Sequence, residues 1–207
     1  MESDKATKYS QIVQEAKKIF DEVYPISNWN YESNKDGVDV YTRTDAATGL
    51  KMARGEGLVL KPTSAVEDAI RNPVNALKWE DVLHLNETVE ECGEYTVTKS
   101  LDKKKMLITQ RETLLLSTTI KGEDGSLLFI GKSLDHPSFP ESKDYVRAHI
   151  YLWAWHLIPD KEDPNKTKLI YIMFLDPKGK IPTTIYNGFV KEQSLNVWKV
   201  KKFVEKS

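Results

Sequence analysis

The run Tyr145–Ile158, YVRAHIYLWAWHLI, decides how the chain is read. Its odd positions are Tyr145, Arg147, His149, Tyr151, Trp153, Trp155 and Leu157. Its even positions are Val146, Ala148, Ile150, Leu152, Ala154, His156 and Ile158. Side chains alternate across a strand, so a long apolar run rich in aromatic and β-branched residues fits a strand covered on both faces. One face is bulky and amphipathic, the other small and aliphatic. That asymmetry implies that one face packs tightly while the other is free to line a space.

Downstream, a charged loop at Asp160–Thr167 precedes a second apolar run, Lys168–Leu175. Pro182 is suited to a first helical turn. The segment it opens carries Ile185, Phe189, Val190, Val197, Val200, Phe203 and Val204 near one side, and spans roughly 35 Å at about 1.5 Å per residue. Upstream, Tyr9–Val23 has helical spacing, and the polar stretch Asn28–Gly37 ends in the turn pair Asp36-Gly37. Val38–Thr44 and Leu50–Leu60 alternate as a hairpin. Ser64 and Glu67 are spaced as a capping box for a helix reaching Asn72-Pro73, and a helical turn follows at Val74–Trp79. Strand-like runs centre on His84–Glu90, Glu94–Leu101, Leu107–Ser117 and Leu127–Lys132. No linker and no internal repeat interrupts this order. It predicts one α+β domain over 1–207: a helical segment at 1–27, then a large antiparallel sheet covered by a long helix over 182–205.

Composition removes several alternatives. Apolar residues make up 40% and charged residues 29%, enough for a core and ordinary for a soluble chain. A net charge of −1 gives no global field for nucleic acid, so no nucleic-acid partner is expected. Lys103–Lys105 and Lys199–Lys202 read as local solvated clusters. Cys92 is the single cysteine, which excludes an intrachain disulfide and suits a reducing compartment. The first residues lack the apolar core of a secretory signal, and no run is long and apolar enough to span a bilayer. A cytoplasmic, monomeric protein is the expectation.

Catalytic signatures are missing. His84, His136, His149 and His156 are scattered, and His149 and His156 differ in parity, so a regular strand points them to opposite faces. No zinc, phosphate-loop or nucleophile-elbow motif occurs. No cofactor and no metal are expected. A sheet of eight or nine strands curls, however, and a helix laid against it leaves a chamber wherever the filling side chains are too few.

Trp79-Glu80, Gln110-Arg111-Glu112, Ser133–Arg147 (SLDHPSFPESKDYVR) and Leu175–Pro182 (LDPKGKIP) resemble the START domain, the steroidogenic-acute-regulatory-protein-related lipid transfer family. The likeness runs from about Trp29 onward. It implies a helix-grip fold of about nine curved strands around the last helix, and a tunnel for one lipid opened by movement of that helix. It also implies a stand-alone, non-enzymatic member touching membranes transiently, with Trp29 or Phe139 as inserting side chains. Departures from the family bear on the ligand. Ala76 stands where the phosphatidylcholine-binding branch has its phosphate-holding arginine. Tyr151 matches one choline-cage aromatic, but Thr113 and Met173 replace two others, and the tryptophan position falls near Lys99 or Ser100. Ser117 stands where many members carry an inward arginine, and Tyr95–Leu101 holds no carboxylate. Losing both partners of a buried ion pair avoids an unpaired charge.

The resemblance therefore implies a neutral tunnel suited to a sterol or another lipid with one hydroxyl. Phospholipid transfer, a lipid-gated sensor or adaptor, and a helix-grip enzyme using His149 and Tyr151 are the alternatives. The candidate ligand-binding residues are Ser100, Thr113, Leu115, Ser117, His149, Tyr151, Trp153, Trp155, Leu169, Tyr171, Met173, Asn187 and Phe189. Arg111 and Arg147 are expected to be structural, pairing with Glu112, Asp135 or loop carbonyls.

Overall fold

A computed structural model describes residues 2–104 and 108–206. Helix α1 (Glu2–Val23) leads through a short 3-10 turn into strands β1 (Asn30–Lys35), β2 (Val38–Thr44) and β3 (Lys51–Val59). Helices α2 (Thr63–Arg71) and α3 (Pro73–Trp79) follow. Then come β4 (Leu83–Cys92), β5 (Tyr95–Asp102), β6 (Arg111–Lys121), β7 (Leu127–Ser133), β8 (Val146–Arg147), β9 (His149–Pro159) and β10 (Thr167–Asp176). Helices α4 (Thr183–Ser194) and α5 (Asn196–Glu205) end the chain.

The strands form one sheet in the order β1-β2-β3-β10-β9-β7-β6-β5-β4, antiparallel throughout, with β8 added in parallel beside β6. The α+β layout expected from periodicity is therefore present, with differences at particular elements. The polar run after Asn28 forms strand β1. Asp36 and Gly37 both have positive φ, as the two-residue hairpin between β1 and β2 requires. Helix α2 starts one residue before Ser64, so the capping box is not used: Pro62 precedes the helix and no side chain caps it. Asn72 instead caps α3, accepting from the Val74 N–H at 3.1 Å. Strand β6 begins at Arg111, later than the run from Leu107 suggested; Leu107 itself lies outside the described residues. The terminal helix is not one rod. It breaks at Leu195, with no glycine or proline to mark the site.

Each sheet face has its own cover. Tyr9, Val13, Ala16, Phe20 and Val23 recur at helical spacing on α1 and share a core with Val97, Leu114, Leu116, Ile130, Leu152 and Phe174. Glu90 accepts from Lys5 Nζ and the Tyr9 hydroxyl at 2.6 Å each, fastening α1 to β4. The opposite face carries α2, α3 and α5, whose Val66, Trp79, Val197 and Val200 share a core with Trp155, Leu157 and Leu169. At Gly55 in β3 the α4–α5 junction lies tight against the sheet: a Cβ there would lie 2.1 Å from the Ser194 carbonyl oxygen. Trp29 is buried and donates to the Val23 carbonyl at 2.7 Å, and Phe139 lies half-buried beside His136, so neither is a free surface anchor.

Candidate functional site

Beside the core on the α4 side of the sheet lies a chamber of about 730 Å³. Cross-strand register shows how its walls arise. One row runs Thr96–Ser117–Gly131–Trp153–Met173 across β5, β6, β7, β9 and β10. The next runs Thr119–Phe129–Trp155–Tyr171, ending at Gly55 of β3. Hydroxyl side chains on β5 and β6 give way to Gly131, Trp153 and Met173 along the first row and to the rings of Phe129, Trp155 and Tyr171 along the second. Trp155 lies 4.2 Å from Tyr171, ring centre to ring centre, and 5.9 Å from Trp79. Helix α4 contributes Ile185, Phe189 and Gln193, and the end of α3 contributes Ala76, Trp79 and Glu80.

Of the residues singled out from sequence, Ser100, Thr113, Leu115, Ser117, Trp153, Trp155, Tyr171, Met173 and Phe189 line this chamber. His149, Tyr151, Leu169 and Asn187 lie elsewhere. For the first two the reason is a β-bulge: Phe174 pairs with Leu152 but Leu175 pairs with Ile150, leaving Tyr151 unopposed. The extra residue exchanges the faces below it, so Ala148 and Ile150 line the chamber instead. Tyr151 stacks on Phe174 at 4.6 Å on the α1 side, with His149 edge-on to it at 4.5 Å. Burial is the main reason the His149 pKa is pulled down. Leu169 has the expected parity but packs into the α2–α5 core, and Asn187 is exposed on α4. His156 sits under α1, its Nδ1 2.8 Å from the Tyr24 hydroxyl.

The wall is not free of charge. Where α3 ends, Glu80 is buried and accepts from Asn196 Nδ2 at 2.6 Å. Asn196 Nδ2 also reaches Gln193 Oε1 at 3.2 Å, and the same oxygen accepts from the Tyr171 hydroxyl at 3.0 Å. Lys199 Nζ lies 3.5 Å from Glu80, 3.1 Å from Glu192 and 3.8 Å from Asp81. Burial drives Glu80 up to about 7, with Lys199 opposing the rise. Burial pulls the Lys199 ammonium down, but its three carboxylates outweigh that and hold it above its ordinary value. A strictly neutral tunnel is thus corrected: Glu80, Glu192 and the amides of Gln193 and Asn196 stand in its wall, with Lys199 paired to both acids. Sequence did offer a signal, since Gln193 and Asn196 interrupt the apolar stripe Val190, Val197, Val200.

Arg111 also lines the chamber, but its guanidinium donates to the carbonyls of Thr109, Pro177 and Lys178 at 2.6, 3.3 and 3.1 Å. Arg147 donates to Glu112 at 3.1 Å and to the carbonyls of Phe139 and Pro140. Both arginines tie loops, as expected from sequence. Among the described residues no group of three or more His, Cys, Asp or Glu side chains is placed to hold a metal ion, and no helix is long and apolar enough to cross a membrane.

Comparison with known proteins agrees with this architecture. The START domain family model matches residues 26–205. StAR-related lipid transfer protein 5 of Mus musculus is 28% identical over 196 residues, covering 91% of this chain and 90% of that protein. The solved structure of human StAR-related lipid transfer protein 5 superposes with a TM-score of 0.86 at 20% identity, covering 97% of this chain and 98% of that one. That of human STARD10 gives 0.81 at 18% identity, over 93% of this chain and 79% of that one. A helix-grip sheet, a chamber under its closing helix and a family match over residues 26–205 agree: the chain belongs to the START domain family.

Proposed function

We propose that the chain binds one hydrophobic lipid, a sterol or another lipid without a charged head group, in the chamber and carries it between membranes. The observation that carries this reading is the chamber itself. Its volume of about 730 Å³ falls within the range of small-molecule sites, and Trp153, Trp155, Met173 and Phe189 give it broad apolar walls. Close-packed interiors do not leave such a space unfilled without a cost. Ligand burial at about 25 cal/mol per Å² of apolar surface supplies the affinity.

Membership of a lipid-transfer family, and a relative named as a lipid transfer protein, support carriage rather than turnover. Ala76 lines the chamber and offers no phosphate contact, which favours a lipid without a phosphodiester head group. The contact with membranes is proposed to run through Val74, Leu77 and Ile185. These are 63%, 37% and 45% exposed and sit on α3 and α4, the helices that flank the chamber.

Native mass spectrometry of the purified protein tests binding: a one-to-one lipid adduct is expected, and a protein that stays apo after incubation with sterol vesicles removes the proposal. Transfer of labelled sterol between vesicles separates a carrier from a sensor, since a sensor binds without accelerating transfer. Chemical change of the bound lipid on incubation indicates an enzyme instead.

A further inference from the structure

The chamber's hydroxyl side chains are distributed along its length rather than gathered at one end. On β5, Thr96, Thr98 and Ser100 alternate inward over about 13 Å at ~3.3 Å per residue. On β6, Thr113, Ser117 and Thr119 face inward over about 20 Å with Leu115 between the first two, and register sets Thr96 beside Ser117, Thr98 beside Leu115 and Ser100 beside Thr113. Neighbouring strands lie about 4.8 Å apart, so these groups form a two-column panel.

Apart from Ser100, which donates to Asn86 Oδ1 at 2.8 Å, none of these side chains has a hydrogen-bond partner among the described residues. Nor are their oxygens sealed in the wall: the buried side-chain atoms without a partner are on Arg43, Arg54 and Asn196. The hydroxyls therefore open onto the chamber with donors and acceptors to spare. Beside the panel, on the next strands of the same sheet, stand Phe129, Trp153 and Trp155, whose rings offer apolar surface.

We propose that the ligand is amphipathic along its length: a lipid with an apolar face turned to the aromatic strands and several hydroxyls along the edge turned to β5 and β6. This rests on, and narrows, the lipid-binding reading above. A lipid with one terminal hydroxyl meets one or two panel positions and lays hydrocarbon on the remainder, which strips water from polar groups without replacing it. A lipid hydroxylated along one edge meets them all.

The test compares cholesterol with a cholestane triol whose hydroxyls lie on one face, by equilibrium titration against the full chain. The triol is expected to bind at least tenfold tighter. The triple variant Thr98→Val, Thr113→Val, Ser117→Ala, which keeps side-chain volume, is expected to bring that ratio to about one. A circular-dichroism melt confirms that the variant folds; if it does not, the single Thr113→Val is expected to at least halve the ratio. Equal affinities in the wild type, or a ratio unmoved by removing the hydroxyls, overturn this inference and leave lipid binding standing. Failure of both sterols and of vesicle-extracted lipid to bind overturns the lipid-binding reading together with this one.

Discussion

Asn196, the first residue of α5, donates to the carboxylate of Glu80 where α3 ends, at 2.6 Å and with both side chains buried. The bond joins α5 to the end of α3 within the helical cover of the chamber. A carboxylate in such a place depends on its donors, because removing them leaves a buried charge unpaired.

Glu80 therefore makes stability depend on pH. Its folded pKa of about 7 lies above the ordinary 4.5, so the folded protein holds a proton that the unfolded chain releases. This contribution is complete below about 4.5 and is lost as pH climbs through about 7. Glu80→Gln cannot titrate, so it is expected to gain on the wild type between pH 5 and pH 8, by about 1–3 kcal/mol. Urea melts of both proteins at the two pH values measure the gain. His149 and His156 titrate alike in both and cancel in the difference. A difference that stays constant with pH contradicts the assignment.

Glu90 works in the opposite sense. Burial alone raises its pKa, but hydrogen bonds from Lys5, Tyr9 and His136 outweigh that and hold it at about 2. What this carboxylate contributes is present above about 4.5 and is lost as pH falls through about 2. Glu90→Gln is expected to cost about 1–2 kcal/mol at neutral pH, and the difference from wild type should vanish by pH 2. Amide exchange in α1 should quicken in the variant, and unaltered exchange there counts against the clasp.

How much of this was legible beforehand differs element by element. Helix α1 and β2 follow from periodicity because each buries one regular face, and β10 follows from an unbroken apolar run that is buried on both. The face of β9 does not: fourteen alternating residues look uniform, but the bulge at Tyr151 is set by pairing with β10, a long-range relationship that no local pattern encodes. The break at Leu195 is equally silent, since no helix-breaking residue marks it and the junction is instead seated against Gly55 of the sheet. Glu80 stood within a recognised motif, yet only the fold brings it to Asn196.

Gly55→Ala tests that seating. A methyl group 2.1 Å from the Ser194 carbonyl cannot be accommodated without moving the α4–α5 junction. Overpacking of this kind costs about 1–3 kcal/mol. Denaturant titration should show the loss, and lipid exchange from vesicles should be faster than wild type. A variant as stable as the parent contradicts the close approach.

Leu115→Trp tests whether the space is vacant. In a filled core this enlargement destabilises by about 1–3 kcal/mol, whereas a side chain facing a chamber can grow into it. Stability within about 0.5 kcal/mol of wild type and at least a tenfold loss of lipid-binding capacity are expected from melts and native mass spectrometry. Loss of stability with binding intact argues that the interior is packed.

The seam at Leu195 leaves two halves that are moored unequally. Beyond it, α5 sinks Val197, Val200 and Val204 into the core; before it, α4 buries Val190 and Ser194 while Ile185 stays in the open. On the lipid-binding proposal, a guest would need only the weaker half to part from the wall, and the resulting aperture would be hinged. The stronger half would stay docked, so the hydrophobic interior beneath it would never meet water during loading.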